Sequence, residues 1–363
     1  MKHRHPATLR LTTMLSLWVA LLAAGAIIIV KPLVPAPGRN GDGSLPEVAL
    51  AEAYPGARPV TIELDGYTPL FFIDEKRSVG TMDAADGAAL LVMHGTGGPR
   101  ELRRLPRQRA PEFAGFVADG GRLVWLEMTV GDQGQAESRL WTIDSPEATP
   151  RMITDDTGDV ALFDKRDDLV VHGGEVSWVA AAPSDQPQTE IRTVPLSGGT
   201  VRVDKRDGAY SFAGWPWLTT VNLGQNGPIE LSNLQTSERF TVPVRPNELM
   251  ACSPAWCRSI IIGGEQASTV IELQRPDGTN RFRAVSGKVA ASLVDVALLD
   301  RFEVYSYSGG RLVVLDIERK RLIVLAKAGV TQVISRGAAL WWATGDNEAI
   351  AWHALNLNSL IKP

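Results

Sequence analysis

The sequence predicts an all-β body preceded by one N-terminal membrane-spanning helix. Gly and Pro number 34 and 23, and short runs with strand-like alternation lie between them, as turn-rich β proteins require. Hydrophobic residues are 44% and charged residues 21% of the chain, which excludes a mostly disordered protein. Only one long apolar run exists, which excludes a multi-span transporter. At 363 residues the chain exceeds what one hydrophobic core organises, so two domains or one large repeat fold is expected.

Charge is divided unevenly. Residues 1–39 hold five basic side chains (Lys2, Arg4, Arg10, Lys31 and Arg39) and no acidic one; of 37 basic and 41 acidic groups, the remainder keeps 32 and 41, a net of −9. Such a body repels a phosphate backbone, and no basic stripe is interleaved with aromatics, so nucleic acid is excluded as a partner.

The segment 11–30 (LTTMLSLWVALLAAGAIIIV) begins at Leu11, ends at Val30 and carries no charge. As a helix it spans about 30 Å, the thickness of the hydrocarbon core. Three basic residues precede it and only Lys31 follows closely, so the N-terminus is expected in the cytoplasm and the body outside. Twenty-eight Arg against nine Lys fit a GC-rich bacterial genome, which places the body beyond the cytoplasmic membrane. The alternative is a signal peptide cleaved after Ala24-Gly25-Ala26 and a secreted body. Against it, Ile27-Ile28-Ile29-Val30 continues the apolar run where a mature terminus turns polar. Residues 31–57, rich in Pro, Gly and Ala with no period, are expected to form a semi-extended spacer.

From 58 onward one aliphatic–polar segment recurs. Its copies are A-L-L-V-M-H (89–94), L-W-T-I-D (140–144), I-R-T-V-P-L (191–196), I-E-L-S-N-L (229–234), V-I-E-L-Q-R (270–275), L-V-V-L-D-I (312–317) and A-W-H-A-L-N-L (351–357). A second strand follows most copies, as in R-M-I-T (151–154) and R-L-I-V-L (321–325). Strands entered through Gly precede several, as in G-R-L-V-W (121–125) and G-E-V-S-W (174–178), and shorter apolar runs stand before those. Four strands per unit result. Anchor positions near 94, 144, 195, 233, 276, 316 and 356 are spaced by 50, 51, 38, 43, 40 and 40 residues. That period is the blade length of a β-propeller, about 40–45 residues. Seven blades are expected over 58–363, with six or eight as alternatives. The last unit lacks room for a fourth strand before Pro363, and the run 60–64 (V-T-I-E-L) is expected to supply it and close the ring.

The unit S-R-L-W-T-I-D-S-P-E-A-T-P-R-M-I-T-D-D (138–156) is similar to repeats of TolB-like propellers, loosely related to WD-repeat proteins, as is I-E-L-Q-R-P-D-G-T-N-R-F-R-A-V (271–285). Three units carry the resemblance well and the other four by pattern alone. The W-S-P-D-G turn usual in TolB-like repeats is absent. The resemblance implies the fold and leaves partners open.

No catalytic motif stands out. Asp156-Thr157-Gly158 matches half of an aspartic-protease pair, but no second D-[TS]-G exists. His94-Gly95-Thr96-Gly97-Gly98 resembles an esterase oxyanion loop without any G-x-S-x-G nucleophile turn. Catalytic residues, metal ligands and cofactors are therefore expected to be none. Cys252 and Cys257, the only cysteines, are expected to form a disulfide in an exported chain. The acidic run Asp155, Asp156, Asp159, Asp164, Asp167 and Asp168 is expected in part between blades two and three, as a solvated loop or, alternatively, a calcium site. Trp215 and Trp217, flanking Pro216, either pack between blades or line a ligand mouth. Candidate ligand-binding residues are thus Trp215, Trp217, Asp155, Asp156 and Asp159. The function expected is a membrane-tethered binding or scaffold module, its partner an envelope protein or small extracellular ligand. The alternative is a propeller hydrolase or lyase, for which three or more carboxylates or His would have to converge at one end of the channel.

Overall fold

A computed structural model describes residues 45–361 except 63–65, 75, 96, 222–226, 264–267, 337 and 346–349. All of these belong to one compact unit, Asn40–Pro363. The helix expected over 11–30 lies outside the described residues. Among the described residues no helix is long and apolar enough to cross a membrane.

Seven sheets follow one another along the chain. They run from Thr68–Phe72 to Gly98–Pro106, Glu112–Asp119 to Arg151–Thr154, Asp159–Val160 to Arg202–Asp207, Tyr210–Phe212 to Arg239–Val242, Glu248–Cys252 to Phe282–Gly287, Val289–Ala291 to Arg321–Ala326, and Val330–Arg336 to Ile350–Asn356. We number these blades one to seven. Within every blade but the third, successive strands pair antiparallel in chain order. The first strands of blades seven and one, and of one and two, approach each other, so first strands surround a central axis. The architecture is a seven-bladed β-propeller.

The core is a set of layers between blades rather than one centre. In the second strand of blade two, Leu123 and Trp125 pack toward blade one, while Val124 and Leu126 pack toward blade three. Both faces of the strand are buried, and alternation sends successive residues to opposite layers. Blade seven repeats the device: Trp341 stacks on Phe72 of blade one at 3.6 Å, and Trp342 joins the layer shared with blade six.

Val60–Ile62 pairs antiparallel with Ile350–Asn356, placing Thr61 opposite His353, and supplies the outer strand of blade seven. Residues 63 and 64 lie outside the described residues. The stretch 31–57, read from composition as a spacer, differs in its second half. Glu47–Ala49 adds a fifth, parallel strand to blade six beside Arg321–Ala326, and Leu50, Tyr54 and Ala57 are buried between blades six and seven. Tyr54 Oη donates to the buried Asp316 carboxylate, which also takes two bonds from Arg301 at 3.0 and 2.9 Å. An aromatic and two aliphatic side chains at irregular spacing give no period to read, yet they hold this strap on the ring.

Candidate functional site

In an up-and-down sheet the turn between first and second strands and that between third and fourth lie at one end. One face of the ring, the hairpin face, therefore carries 73–77, 213–216, 253–256 and 292–301; the connections between blades lie on the other. Blade three departs from the pattern. Its first strand is in two pieces, Asp159–Val160 and Leu169–His172, both paired with Glu175–Ala181. Residues 161–168 leave between them, from a strand that borders the axis.

This insert spans the channel. Asp168 folds it, accepting the backbone N–H groups of Phe163 and Lys165 at 3.1 Å each. The Arg166 backbone N–H reaches the Asp295 carboxylate of blade six at 3.3 Å. Lys165 Nζ donates to Ser211 Oγ of blade four at 3.0 Å. Burial pushes the Lys165 ammonium down from its usual value, and the carboxylates of Asp168, Asp295 and Asp167 pull it back. Burial also works against the Arg166 charge, but Asp167 and Asp295 outweigh it, and that guanidinium is held above its usual value. Blades three, four and six thus share one plug.

Beside the plug a cleft of about 500 Å³ is lined by Phe71, Phe72, Asp74, Phe116, Arg166 and Asp167, with Asn356 and Asn358 at its rim. Two carboxylates, Asp74 and Asp167, line this cleft, with Asp168 and Asp295 behind it in the plug, and all four are engaged. Asp74 accepts from Arg77 Nε at 2.7 Å and from the backbone of Lys76 and Arg77 at 2.9 Å. Asp167 accepts from Arg166 Nε at 3.2 Å. Asp168 and Asp295 hold the insert. The Lys165–Ser211 contact has the form of a hydrolase dyad, with Ser211 1% exposed.

The residues singled out from sequence lie elsewhere. Asp155, Asp156 and Asp159 are exposed around the connection from blade two to three, where Asp156 is paired with Arg192 at 2.7 Å. Among the described residues no group of three or more His, Cys, Asp or Glu is placed to hold a metal. Asp164, Asp167 and Asp168 belong instead to the insert, so half of the acidic run enters the channel. Trp215 and Trp217 separate: Trp215 stacks on His172 of blade three at 3.4 Å, while Trp217 stacks on Phe240 and packs in the layer holding Cys252 and Cys257. Those cysteines are joined, Cys252 opposite Cys257 across the first turn of blade five. Sequence reasoning missed Arg166, Asp295 and the insert itself. The readable signal was the 51-residue interval from 144 to 195, longer than the later ones by about the insert's length.

No protein-family model matches the chain, and no curated protein does. Among solved structures it is similar to a puromycin-hydrolysing peptidase of Mycobacterium tuberculosis, at 15% identity and TM-score 0.52, covering 88% of this chain and 54% of that one. The chain thus spans about half of that peptidase. An uncharacterized protein of Listeria monocytogenes matches at 10% identity and TM-score 0.51 over 79% of this chain and 91% of that one. The propeller domain of the Trilobed protease from Pyrococcus furiosus gives 10% identity and TM-score 0.47 over 67% and 82%. At these identities the likeness is one of fold.

Proposed function

We propose that this propeller is a non-catalytic binding module whose working surface is the plugged mouth on its hairpin face. One observation carries the reading: the carboxylates that gather there are spent on holding the insert and on neighbouring arginines, leaving a shaped cleft rather than a free acid–base pair. We further propose that segment 11–30 tethers the module outside the cytoplasmic membrane. Its uncharged length and basic flank support this, and the Cys252–Cys257 bond fits an oxidising compartment.

The test places a photo-crosslinking residue at Asn358, on the cleft rim, or at Asp155, on the opposite face, in cells that make the full chain. A reproducible species captured from 358 and not from 155 is expected. Capture from neither position, with the body folded, overturns the binding reading; conversion of the captured species by the purified chain replaces it with the enzyme reading.

A further inference from the structure

We propose that the strap 45–57 is the latch of the plugged mouth: its seating between blades six and seven holds the loop 292–301, and through Asp295 that loop holds the channel insert. This names a regulation of the working surface given above, and it rests on that reading for its consequence.

The loop is strained. Ala297, Leu299 and Asp300 stand at φ of 53°, 53° and 55°, a left-handed backbone that residues other than glycine rarely adopt. Such a conformation persists only where its surroundings over-determine it. Part of the hold comes from blades five and six, where Trp256 Nε1 donates to the Asp300 carbonyl at 3.1 Å and Glu303 accepts the Ala297 N–H. The rest comes from the strap. Leu293, Leu298 and Leu299 of the loop lie in the same apolar cluster as Leu50, Tyr54 and Ala57. At the end of the loop, Arg301 grips the fully buried Asp316 through Nε and Nη2. Tyr54 Oη donates to that same carboxylate, and the guanidiniums of Arg319 and Arg321 lie 5.2 and 4.7 Å from its ring centre. With the strap lifted, Asp316 and Leu298 lose their cover, and an apolar and a polar support of the strained turn go together.

At its other side the loop meets the plug. Asp295 accepts the Arg166 backbone N–H, and Asp295 and Asp300 both act on the Arg166 charge. Were the loop to relax, the insert would keep its Lys165–Ser211 bond and lose the Asp295 bond. In sequence the strap stands between segment 11–30 and the first blade, so the plug answers to the stretch by which the body would be tethered.

Hydrogen exchange of the full chain in detergent, read by mass spectrometry with no ligand added, tests the latch. Tyr54→Phe deletes the phenol donor, and Leu50→Ala weakens the apolar grip without touching Asp316. Each is expected to speed exchange in 292–301 and 161–168 by about fivefold or more, with Arg122–Val130 of blade two unchanged. Tyr67→Phe, which deletes the Tyr67–Ser78 bond of blade one, is expected to leave both segments as they are. Unchanged exchange in 161–168 overturns the proposal, as does an equal rise in Arg122–Val130 or after Tyr67→Phe. If the strap variants fail to fold, the unaltered chain decides. Strap, loop and insert are then expected to open with one denaturant slope, and separate slopes overturn the latch. The crosslinker at 358 keeps the two readings apart. Coupled exchange without capture refutes the binding reading and leaves the latch standing; capture without coupled exchange refutes the latch alone.

Discussion

Arg258 in blade five donates from Nη1 to Glu303 Oε2 in blade six at 3.0 Å, with both side chains closed to solvent. The same guanidinium holds the carbonyls of Val294 and Asp295 at 3.0 and 3.1 Å, and Glu303 accepts the Ala297 N–H at 2.7 Å. This pair is therefore the foundation of the loop that offers Asp295 to the channel insert.

Removing one member strands the other as a buried charge. Glu303→Gln is expected to cost about 3–5 kcal/mol in urea unfolding. The double variant Arg258→Met with Glu303→Leu should lose less than the two single variants summed, because the charges leave together. An additive result would show that the pair does not couple the two blades.

The strap carries a pH dependence. Burial disfavours the Asp316 carboxylate, but bonds from Arg301 and Tyr54 outweigh it, and the group is held below the ordinary aspartate range. A folded value below the unfolded one means the stabilisation is complete above the unfolded value, about 4, and is lost as pH falls through the folded one. Acid titration of the unfolding midpoint should therefore be shallower for Asp316→Asn than for the unaltered chain. Tyr54→Phe, which keeps the ring and deletes the donor, is expected to cost about 1–2 kcal/mol at neutral pH.

The Cys252–Cys257 bond closes a six-residue loop, for which the chain-entropy relation gives about 2 kcal/mol. Unfolding in the presence of reductant, or of the double serine variant, should shift by that amount or less. A shift well beyond it would mean that the bond holds more than its own turn.

Gly80→Ala tests a close approach of backbone. A methyl carbon there would lie 2.7 Å from Tyr67 Cζ and 2.8 Å from Pro69 Cα, and closer still to the Thr68 carbonyl oxygen. Backbone atoms of a paired strand cannot swing aside, so a loss of about 3 kcal/mol is expected. A neutral substitution, measured by thermal unfolding, would show that the first hairpin of blade one has room to shift.

The blades were legible because their determinants are local: alternation such as Leu123-Val124-Trp125-Leu126, entered through a turn glycine, writes strand, register and two-sided burial into four residues. Seven units followed from the repeat length. The strap was not legible, since Val48, Leu50, Tyr54 and Ala57 find their partners on blades six and seven, far away in sequence. The insert was hidden for a different reason. Lys165-Arg166-Asp167-Asp168 has the composition of a solvated loop, and only its lodging across the channel turns those charges inward to Ser211 and Asp295. Charge that is satisfied by tertiary partners looks, in sequence, like charge satisfied by water.

The closure of blade seven also sets an order of events. Thr61 meets His353 across 292 positions of chain, so the strand made early in synthesis waits unpaired until nearly the whole ring exists. Until then blade seven has no outer strand, and the layer that Trp341 shares with Phe72 stays open. Loop closure of that span makes docking of Val60–Ile62 a late and slow step in the birth of the protein. For all that time its half-built ring exposes strand edges to whatever else is folding nearby.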